Sequence, residues 1–307
     1  DSIDVEMIIT EGPQATISHI RIQGNDRLYE NIVRRELRTK PGDLFSKDAL
    51  ERSYREIAQM GHFNPENINP DVKPDATNGT VDINYILESN PNDQIEFSAG
   101  WGQTGVIGKL ALKFTNFSMQ NLFNKQARRR AFLPQGDGQT LSISGQTNGS
   151  YYQSYSINFM DPWFGGKRPN TLSVTGFFSK QTDISSSYYN SAYYSSMMYG
   201  GYGYGGYGNY GNYGYENFYD PDKSVKLWGS TVGFGKRLRW PDDYFQASLA
   251  LTYQRYELKD WKYFIISNGN SNNINLNLTI ARNSIDNQIY PRRGSEFSLE
   301  ASLTPPW

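Results

Sequence analysis

From Asp93 to the end of the chain, apolar and polar residues alternate in segment after segment. In QIEFSAGW, Ile95, Phe97, Ala99 and Trp101 fall on one face and the residues between them on the other. A period of two is that of a β-strand, whose successive side chains point to opposite faces of a sheet. About nine such segments follow one another, which predicts a large antiparallel sheet. The other apolar sets are Leu110, Leu112 and Phe114; Leu141 and Ile143; Tyr155, Ile157 and Phe159; Leu172 and Val174; Phe245, Ala247, Leu249 and Leu251; Ile274, Leu276, Leu278 and Ile280; and Phe297, Leu299, Ala301 and Leu303.

Composition limits what this sheet can be. Aromatic residues reach 15% of the chain, which excludes a disordered protein, because disordered segments contain few of them. No run of about 18 apolar residues occurs, so a spanning helix is excluded, whereas a transmembrane barrel strand needs only about 9–11 residues. A soluble sandwich stays open as an alternative, because its outer face could carry Asn273, Asn275 and Asn277. The absence of cysteine excludes a disulfide-stapled mini-protein.

The connections between the predicted strands alternate in length. Tight connections lie at 102–105 and 147–150, and long ones run from Gln181 to Lys223 and from Lys259 to Asn272. Counted from the first strand, all four fall on one end of the sheet. The connections RWPDDY and DNQIYPRRGS are short, as the periplasmic turns of an outer-membrane barrel are. One connection on this second end is long instead of short: the segment from Ser118 to Gly138.

The first ninety residues have the pattern of a small α/β module. TISHIRIQG, Thr16 to Gly24, alternates like a half-buried strand that ends in a Gly-Asn turn. Two predicted helices follow: LYENIVRREL, with Ile32, Val33, Glu36 and Leu37 on one stripe, and SKDALERSYREIAQMG, which begins at Ser46 and stops at Gly61. Two short strands, NINPDVKPD and TVDINYILES, complete the order strand, helix, helix, strand, strand.

Charge and motif content argue against several functions. The first ninety residues are net acidic and the rest net basic, and no basic stripe interleaved with aromatics occurs, so nucleic-acid binding is not expected. His19 and His62 are the only histidines, and no zinc, phosphate-loop or nucleophile motif is present. We therefore expect no enzyme activity, no metal and no cofactor.

Three groups of residues favour surface or membrane roles. The Gly/Tyr-rich tract between Tyr188 and Tyr219 predicts a surface loop. The clusters 128–130 and Arg292-Arg293 suit either a solvated turn or phosphate groups of lipids. Aromatic residues near predicted strand ends suit the interfacial girdle of a barrel, and they are Trp163, Phe164, Trp240 and Trp261.

Several motifs together resemble the BamA family of outer-membrane β-barrel assembly proteins. The segment IRIQGNDRLYENIVRRELRTKPGDLFSKDALERSYREIAQMGHF resembles a POTRA module. SAGWGQTGV resembles the first barrel strand and its hairpin, TNF the end of the second strand, and MDPWF the end of the fourth. LTIARNSIDNQIYPRRGSEFSLEAS, the most specific match, resembles the turn between the eighth and ninth strands. The segments 118–137 and 181–223 depart from the family pattern and inherit no role from it.

This resemblance implies a fold in which an α+β POTRA module precedes an antiparallel transmembrane β-barrel. Residues 1–13 would be the end of a preceding POTRA module, 14–90 the last one before the barrel, and 91–307 the first part of the barrel. About nine of an expected sixteen strands are present, so the chain is expected to be part of a longer protein.

The resemblance also implies a function. The family folds and inserts outer-membrane proteins by strand pairing, and the residues carried over to this role are those of the first barrel strand: Gln94, Ile95, Glu96, Phe97, Ser98, Ala99, Gly100 and Trp101. Expected partners are unfolded outer-membrane proteins, the lipid bilayer with lipopolysaccharide, and accessory periplasmic lipoproteins or other subunits of an assembly complex. The expected location is the outer membrane of a Gram-negative bacterium, with the POTRA module in the periplasm. A two-partner-secretion or autotransporter-assembly transporter is the alternative.

Overall fold

The computed structural model describes residues 8, 14–102, 105–123, 133–184, 219–285 and 290–305. The chain divides into two compact units. The first comprises Asp1–Asp93 and Thr115–Gly138, and the second comprises Gln94–Phe114 and Gln139–Trp307. The chain therefore passes between the units after Asp93, after Phe114 and after Gly138. The predicted end of a preceding module, residues 1–13, lies outside the described residues except for Ile8.

The first unit contains a three-stranded sheet in the order β1-β3-β2. Strand β1 runs parallel to β3, and β2 pairs with β3 in the antiparallel direction. This matches the predicted order of strand, helix, helix, strand, strand. The elements are β1 Thr16–Gln23, α1 Glu30–Arg34, α2 Lys47–Gln59, a short 3-10 helix at Pro65–Asn67, β2 Asn69–Asp75 and β3 Thr80–Ile86.

The core of the first unit lies between this sheet and its helices. Ile17 and Ile83 from the sheet are buried together with Val33 of α1 and Ile57 of α2. The Tyr85 ring is buried in the same cluster, and its hydroxyl is 2.9 Å from Thr39 Oγ1. Burial raises the pKa of Tyr85, because a charged phenolate would lose its hydration there. The five buried residues all lie in segments that the sequence predicts to be strands or helices of this module.

The first helix is shorter than the sequence predicts. The apolar stripe extends to Leu37, but α1 ends at Arg34. Beyond it, the amides of Glu36 and Leu37 donate to the carbonyls of Val33 and Arg34, which is the tighter hydrogen-bond pattern of a 3-10 turn. This turn still buries Leu37. The second helix begins as predicted, because the Ser46 side chain accepts a hydrogen bond from the Ala49 amide.

The second unit is a nine-stranded antiparallel sheet in which each strand lies beside its sequence neighbours. The predicted strand count is therefore confirmed for the described residues. The sheet runs from β4 at one edge to β12 at the other. The strands are β4 Gln94–Gly102, β5 Gly105–Phe117, β6 Gln139–Asn148, β7 Tyr152–Asp161, β8 Asn170–Ile184, β9 Tyr219–Arg237, β10 Phe245–Lys259, β11 Gly269–Asn283 and β12 Glu296–Leu303.

The sheet has one apolar and one polar face. A continuous apolar row crosses β6 to β12, and its members are Leu141, Phe159, Val174, Val232, Leu251, Leu276 and Leu303. The neighbouring row on the other face is polar, and its members are Ser142, Asn158, Thr175, Thr231, Thr252 and Asn275. Hydrogen bonds between side chains link this polar row, as between Asn158 Nδ2 and Thr175 Oγ1 at 2.6 Å. The apolar row is uncovered, since Leu251 is 50% exposed and Val232 48%.

The strands extend further than alternation alone predicts. Strands β8 and β9 continue to Ile184 and Tyr219, and β11 begins at Gly269 rather than after Asn272. The predicted long connections shrink accordingly to 185–218, which lies outside the described residues, and 260–268. The polar run that opens β11 pairs with β10 from Leu258 onward, so backbone hydrogen bonds extend the strand where apolar alternation has already ended.

We name the two ends of the sheet by the chain's path. The near end is where β4 begins, and it carries the connections 118–138, 162–169, 238–244 and 284–295. The far end carries 103–104, 149–151, 185–218 and 260–268. No helix in the described part of the chain is long and apolar enough to cross a membrane.

One segment belongs to a different unit from the one predicted. The connection 118–138 was expected to be part of the barrel region 91–307, but its contacts place 115–138 in the first unit together with residues up to Asp93. Asn116 and Asn121 donate hydrogen bonds to the module, and the Gly136 carbonyl accepts one from it, as described below.

Candidate functional site

The candidate strand-pairing site is the outer edge of β4. Strand β4 pairs with β5 from Gln94, opposite Lys113, to Gly102, opposite Gly105. Within the described residues no strand pairs with its other side. An edge strand leaves a row of backbone N–H and C=O groups without a ladder partner, and such a row can accept another strand.

The register shows which residues offer these groups. Gly102 and Gly105 are opposite each other and separated by two residues, and residues that flank such a short hairpin connection form a hydrogen-bonded pair. Hydrogen-bonded and non-hydrogen-bonded pairs alternate along an antiparallel ladder. Gly100, Ser98, Glu96 and Gln94 therefore bond to β5. The residues that direct their N–H and C=O groups to the free edge are Ile95, Phe97, Ala99 and Trp101.

The same residues carry the apolar side chains of β4. Ile95 and Phe97 are each 74% exposed and Trp101 is 84% exposed. On the opposite face, Lys109 Nζ of β5 donates to Glu96 Oε1 at 2.8 Å, a cross-strand ion pair that supports the register of the hairpin. The predicted site residues thus lie on one strand, with edge-directed backbone and exposed apolar side chains at alternate positions.

The residue that precedes β4 is held by the first unit. Asp93 Oδ1 accepts a hydrogen bond from the Thr115 amide at 2.9 Å. Asp93 Oδ2 accepts one from Arg27 Nη2 at 3.1 Å, and both side chains of this ion pair are about a quarter exposed. One carboxylate therefore joins the start of β4, the end of β5 and the loop after β1.

Asn116 fixes the connection that follows β5. This side chain is 2% exposed, and its Nδ2 donates to the Arg27 carbonyl at 2.8 Å. Its Oδ1 accepts hydrogen bonds from the amides of Gly136 and Gly138, each at 3.1 Å. A buried amide that satisfies both its donor and its acceptor in this way specifies a single geometry.

Tyr29 forms the second attachment. Its amide donates to the Gly136 carbonyl at 3.0 Å, and its hydroxyl accepts from Asn121 Nδ2 at 2.7 Å. Within the connection, Ser118 Oγ donates to Asp137 Oδ2 at 2.5 Å. We call the contacts of Asn116, Tyr29 and Asn121 the clasp. The sequence offers no signal for it, because single Tyr and Asn residues in loops are common.

His62 lies beside the clasp. A Cβ atom at Gly138 would be 3.6 Å from His62 Nε2, so the two residues are close neighbours. Burial lowers the pKa of His62, and the positive charge of Arg27 lowers it further, while the negative charge of Asp93 opposes them. This environment favours the neutral form of His62.

The predicted interfacial aromatics fall at both ends of the sheet. Trp163, Phe164 and Trp240 lie in near-end connections, and Phe164 and Trp240 are 48% and 83% exposed. Trp261 lies in the far-end connection 260–268 and is 5% exposed, with its ring centroid 5.2 Å from that of Tyr263. Burial among protein atoms makes Trp261 unsuitable for an interfacial role. The interfacial role of the other three residues stays a prediction.

A second aromatic group was missed by the sequence analysis. On the apolar face near the far end, Tyr155 is opposite Phe178, and Phe178 is opposite Trp228. The Tyr253 ring packs against Trp228 in an edge arrangement at 6.0 Å. We call Tyr155, Phe178, Trp228 and Tyr253 the far-end aromatic tier. Its members lie inside strands, and only the register shows that they form a group.

No group of three or more potential metal ligands occurs in the part of the chain that the structure describes.

Comparison with known families bears on the fold and the site. A profile described as the Omp85 superfamily domain matches residues 135–306, more than half of the chain. The chain belongs to the Omp85 superfamily. A second profile, POTRA, described as a surface antigen variable number repeat, matches residues 15–90. The two matches correspond to the module of the first unit and to most of the nine-stranded sheet.

Two curated relatives of this Omp85 chain bear the name outer membrane protein assembly factor BamA. The protein from Neisseria meningitidis is 27% identical over 165 residues, which are 53% of this chain and 18% of the relative. The protein from Nitratidesulfovibrio vulgaris is 25% identical over 188 residues, or 59% of this chain and 21% of the relative. The chain therefore matches only about a fifth of the length of these relatives.

The fold of the Omp85 chain also occurs in a solved structure. The crystal structure of BamA from Haemophilus ducreyi lacking POTRA domains 1–3 matches it with a TM-score of 0.51 and 17% identity, over 96% of this chain and 49% of that one. At this identity the match bears on the fold alone. It agrees with a POTRA module followed by an antiparallel sheet.

Proposed function

We propose that this Omp85 chain is part of an assembly factor that folds and inserts outer-membrane proteins. Its proposed location is the outer membrane of a Gram-negative bacterium, with the POTRA module in the periplasm. The proposed partners are unfolded outer-membrane proteins, the bilayer with its lipopolysaccharide, and accessory subunits of an assembly complex. The relatives' names and the superfamily support this proposal, and the observation that carries it is the row of backbone groups that β4, the first strand of the sheet, directs away from β5.

The mechanism we propose is strand addition at β4. An incoming segment would bond to the N–H and C=O groups of Ile95, Phe97, Ala99 and Trp101, because these groups face the free edge. In hydrocarbon an unpaired backbone group costs several kcal/mol, so a nascent strand gains from each bond it makes there. Strand pairing makes no covalent bond, and we propose that the chain catalyses no chemical reaction.

The anchored base of β4 suits this role. Asp93, the residue before β4, accepts hydrogen bonds from Thr115 and Arg27, so the chain enters β4 from a fixed position. The ion pair between Glu96 of β4 and Lys109 of β5 also helps to fix the position of β4.

Site-specific disulfide crosslinking tests the proposal. Ser98 and Glu96 bond to β5, so an incoming strand would meet them as non-hydrogen-bonded pairs, whose Cα atoms are about 4.5 Å apart. This distance permits a disulfide. Ser98→Cys should crosslink to one position of a stalled substrate's terminal strand, and Glu96→Cys to a position two residues away. The control is Thr231→Cys, since β9 is paired on both sides.

Two outcomes would contradict this mechanism. Crosslinks confined to the POTRA module would reject β4 as the pairing edge. Crosslinks without fixed register, and equally strong at Thr231→Cys on the polar face, would instead fit a secretion transporter through which an unfolded chain passes.

A further inference from the structure

The far end of the apolar face combines rings and positive charges. One row beyond the far-end aromatic tier, Lys180 of β8 is directly opposite Lys226 of β9. Both lysines share the face of Phe178 and Trp228, because each lies two residues from one of these rings along its own strand. Along β8 and β9, from the middle of the strands toward the far end, this face therefore carries first the aliphatic row, then the aromatic tier and then the lysine pair.

The lysine pair has no counter-charge of its own. Like charges directly opposite each other in a sheet are destabilising, yet neither Lys180 nor Lys226 forms an ion pair in the described part of the chain. Glu257 is opposite Lys226 in the register, but its Oε1 lies 3.5 Å from Arg255 Nε. In the next row, Lys259 and Asp222 pair with each other at 2.8 Å. An excess of positive charge thus remains at Lys180 and Lys226.

Arg255 lies at the boundary between the rings and the lysines. Its guanidinium carbon is 5.8 Å from the centroid of the Trp228 ring, within the range of a cation–π contact. Trp228 is itself 40% exposed and Tyr155 50%. Exposed rings with cations just beyond them are suited to the depth at which lipid headgroups meet acyl chains.

The near end of the same face is different. Arg282 lies there between rings, 5.6 Å from the centroid of Phe245, but its Nη2 donates to Asp242 at 2.8 Å. Its charge is therefore compensated within the protein. The interval from Phe245 to Tyr253 on β10 agrees with the roughly 9–11 residues of a membrane-spanning strand. At the near end Lys236 lies opposite Asn170 and Ala247, whereas at the far end two lysines lie directly opposite each other.

We propose that Lys180 and Lys226 bind the phosphate of a membrane lipid whose acyl chains lie on the apolar row below. The inference rests on the proposed membrane location and adds a specific lipid site to it. A phosphate between the two ammonium groups would relieve their repulsion through charge-assisted hydrogen bonds. The aromatic tier would contact the glycerol or sugar region of the lipid.

Native mass spectrometry of the full-length protein in detergent tests this site. The probe is phosphatidic acid, and diacylglycerol with the same acyl chains serves as the lipid without phosphate. We expect phosphatidic acid to be retained preferentially, and Lys180→Gln with Lys226→Gln to reduce its retention about tenfold, to the level of diacylglycerol. Lys226→Arg should preserve it. The matched control is Lys236→Gln, which removes one charge from the same strand and face at the near end.

The possible results separate the two proposals. Equal retention of both lipids by the unchanged protein, or equal loss in Lys236→Gln, would overturn the phosphate site while leaving the membrane location intact. Displacement of phosphatidic acid by millimolar inorganic phosphate would also overturn it, because the ligand would then be free phosphate rather than a lipid. Retention of neither lipid by any variant would likewise overturn the phosphate site, whereas the membrane location is tested separately by labelling of introduced cysteines on intact cells. Circular dichroism of each variant shows that the sheet is folded.

Discussion

Gly136 occupies a position in the clasp that other residues fit poorly. Its φ is +131°, in the region that favours glycine, and a Cβ atom there would lie 2.6 Å from Tyr29 Cε2. The Tyr29 ring cannot move away freely, because its hydroxyl accepts the hydrogen bond from Asn121. The close approach of Gly136 lets the Tyr29 amide reach its carbonyl.

We predict that Gly136→Ala loosens the connection 115–138 from the module. Backbone strain would cost about 1–2 kcal/mol, and the contact with Tyr29 about 1–3 kcal/mol more. Gly42→Ala is the control, since Gly42 has a φ of +92° but no atom near its added Cβ. Hydrogen exchange of the Tyr29 and Gly138 amides should rise in Gly136→Ala and stay low in Gly42→Ala. Equal exchange in both variants would contradict the steric part of the prediction.

The lowered pKa of His62 predicts a loss of stability in acid. The unfolded chain takes up a proton near the ordinary histidine pKa of about 6.5, whereas folded His62 takes it up only at lower pH. Stability of the first unit should therefore be full above pH 7 and decline as the pH falls through about 6.5. Exchange protection factors, which correct for the intrinsic pH effect, should drop between pH 7.5 and 5.5.

His62→Gln should remove most of this drop, while His19→Gln should retain it. A drop of the same size in His62→Gln would assign the acid sensitivity to other groups.

The sequence could not reveal the residues of the clasp. Asn116 and Arg27 are 89 positions apart, and Asn121 and Tyr29 are 92 apart. Neither pair follows a period or motif. By contrast, the buried positions of α2 and β3 repeat at the spacing of their elements, and this made the module core predictable.

At the scale of elements, the free edge of β4 depends on register. The position of Gly102 opposite Gly105 assigns the edge-directed groups to Ile95, Phe97, Ala99 and Trp101. Replacing Phe97 by proline removes a donor from the free edge, whereas replacing Ser98 by proline removes a donor from the β4–β5 ladder. The two substitutions are adjacent in sequence and differ in which side of the strand they affect.

We predict that Phe97→Pro slows substrate assembly but leaves the β4–β5 hairpin paired. Ser98→Pro should disrupt the hairpin itself, as seen by faster exchange of the amides of β5. Assembly of a substrate barrel into proteoliposomes measures the first effect, with Phe97→Ala as the control for the lost side chain. Equal assembly rates in Phe97→Pro and Phe97→Ala would contradict a pairing role for that N–H group.

Elements were predictable where side chains alternate and less so at their ends. The apolar rows of β10 and β11 were identified from sequence, but the polar opening of β11 was not, because its strand pairing depends on backbone bonds to β10. The length of α1 was overestimated for a related reason. A short helix followed by a tight turn buries Ile32 and Leu37 as well as a longer helix would. Local pattern specifies the face of an element better than its ends.

At the scale of the molecule, strand parity predicts a topology that labelling can test. Ile265, in the far-end connection, is fully exposed, and Lys167, in a near-end connection, is also exposed. The chain contains no cysteine, so an introduced thiol is its only one. We predict that a membrane-impermeant maleimide labels Ile265→Cys on intact cells. Lys167→Cys should be labelled only after the outer membrane is opened, and the reverse pattern would refute the parity.

The order of the two domains was predictable, but their boundary was not. The change from helical to alternating pattern near Asn90 located the start of the sheet correctly. The assignment of 115–138 to the first unit depends on buried contacts of Asn116 and Ser118, and these become visible only when the loop after β1 and the end of β5 are seen together.

The bond between Asp93 and Thr115 has a consequence for the order in which the sheet can form. It holds the two ends of the segment 94–114 together, and bringing chain ends together carries an entropy cost that grows with the length of the loop. Because Asp93 and Thr115 both belong to the first unit, folding of that unit already brings these two chain ends together. The β4–β5 hairpin can then form before any later strand is added, with β4 already in its final register with β5.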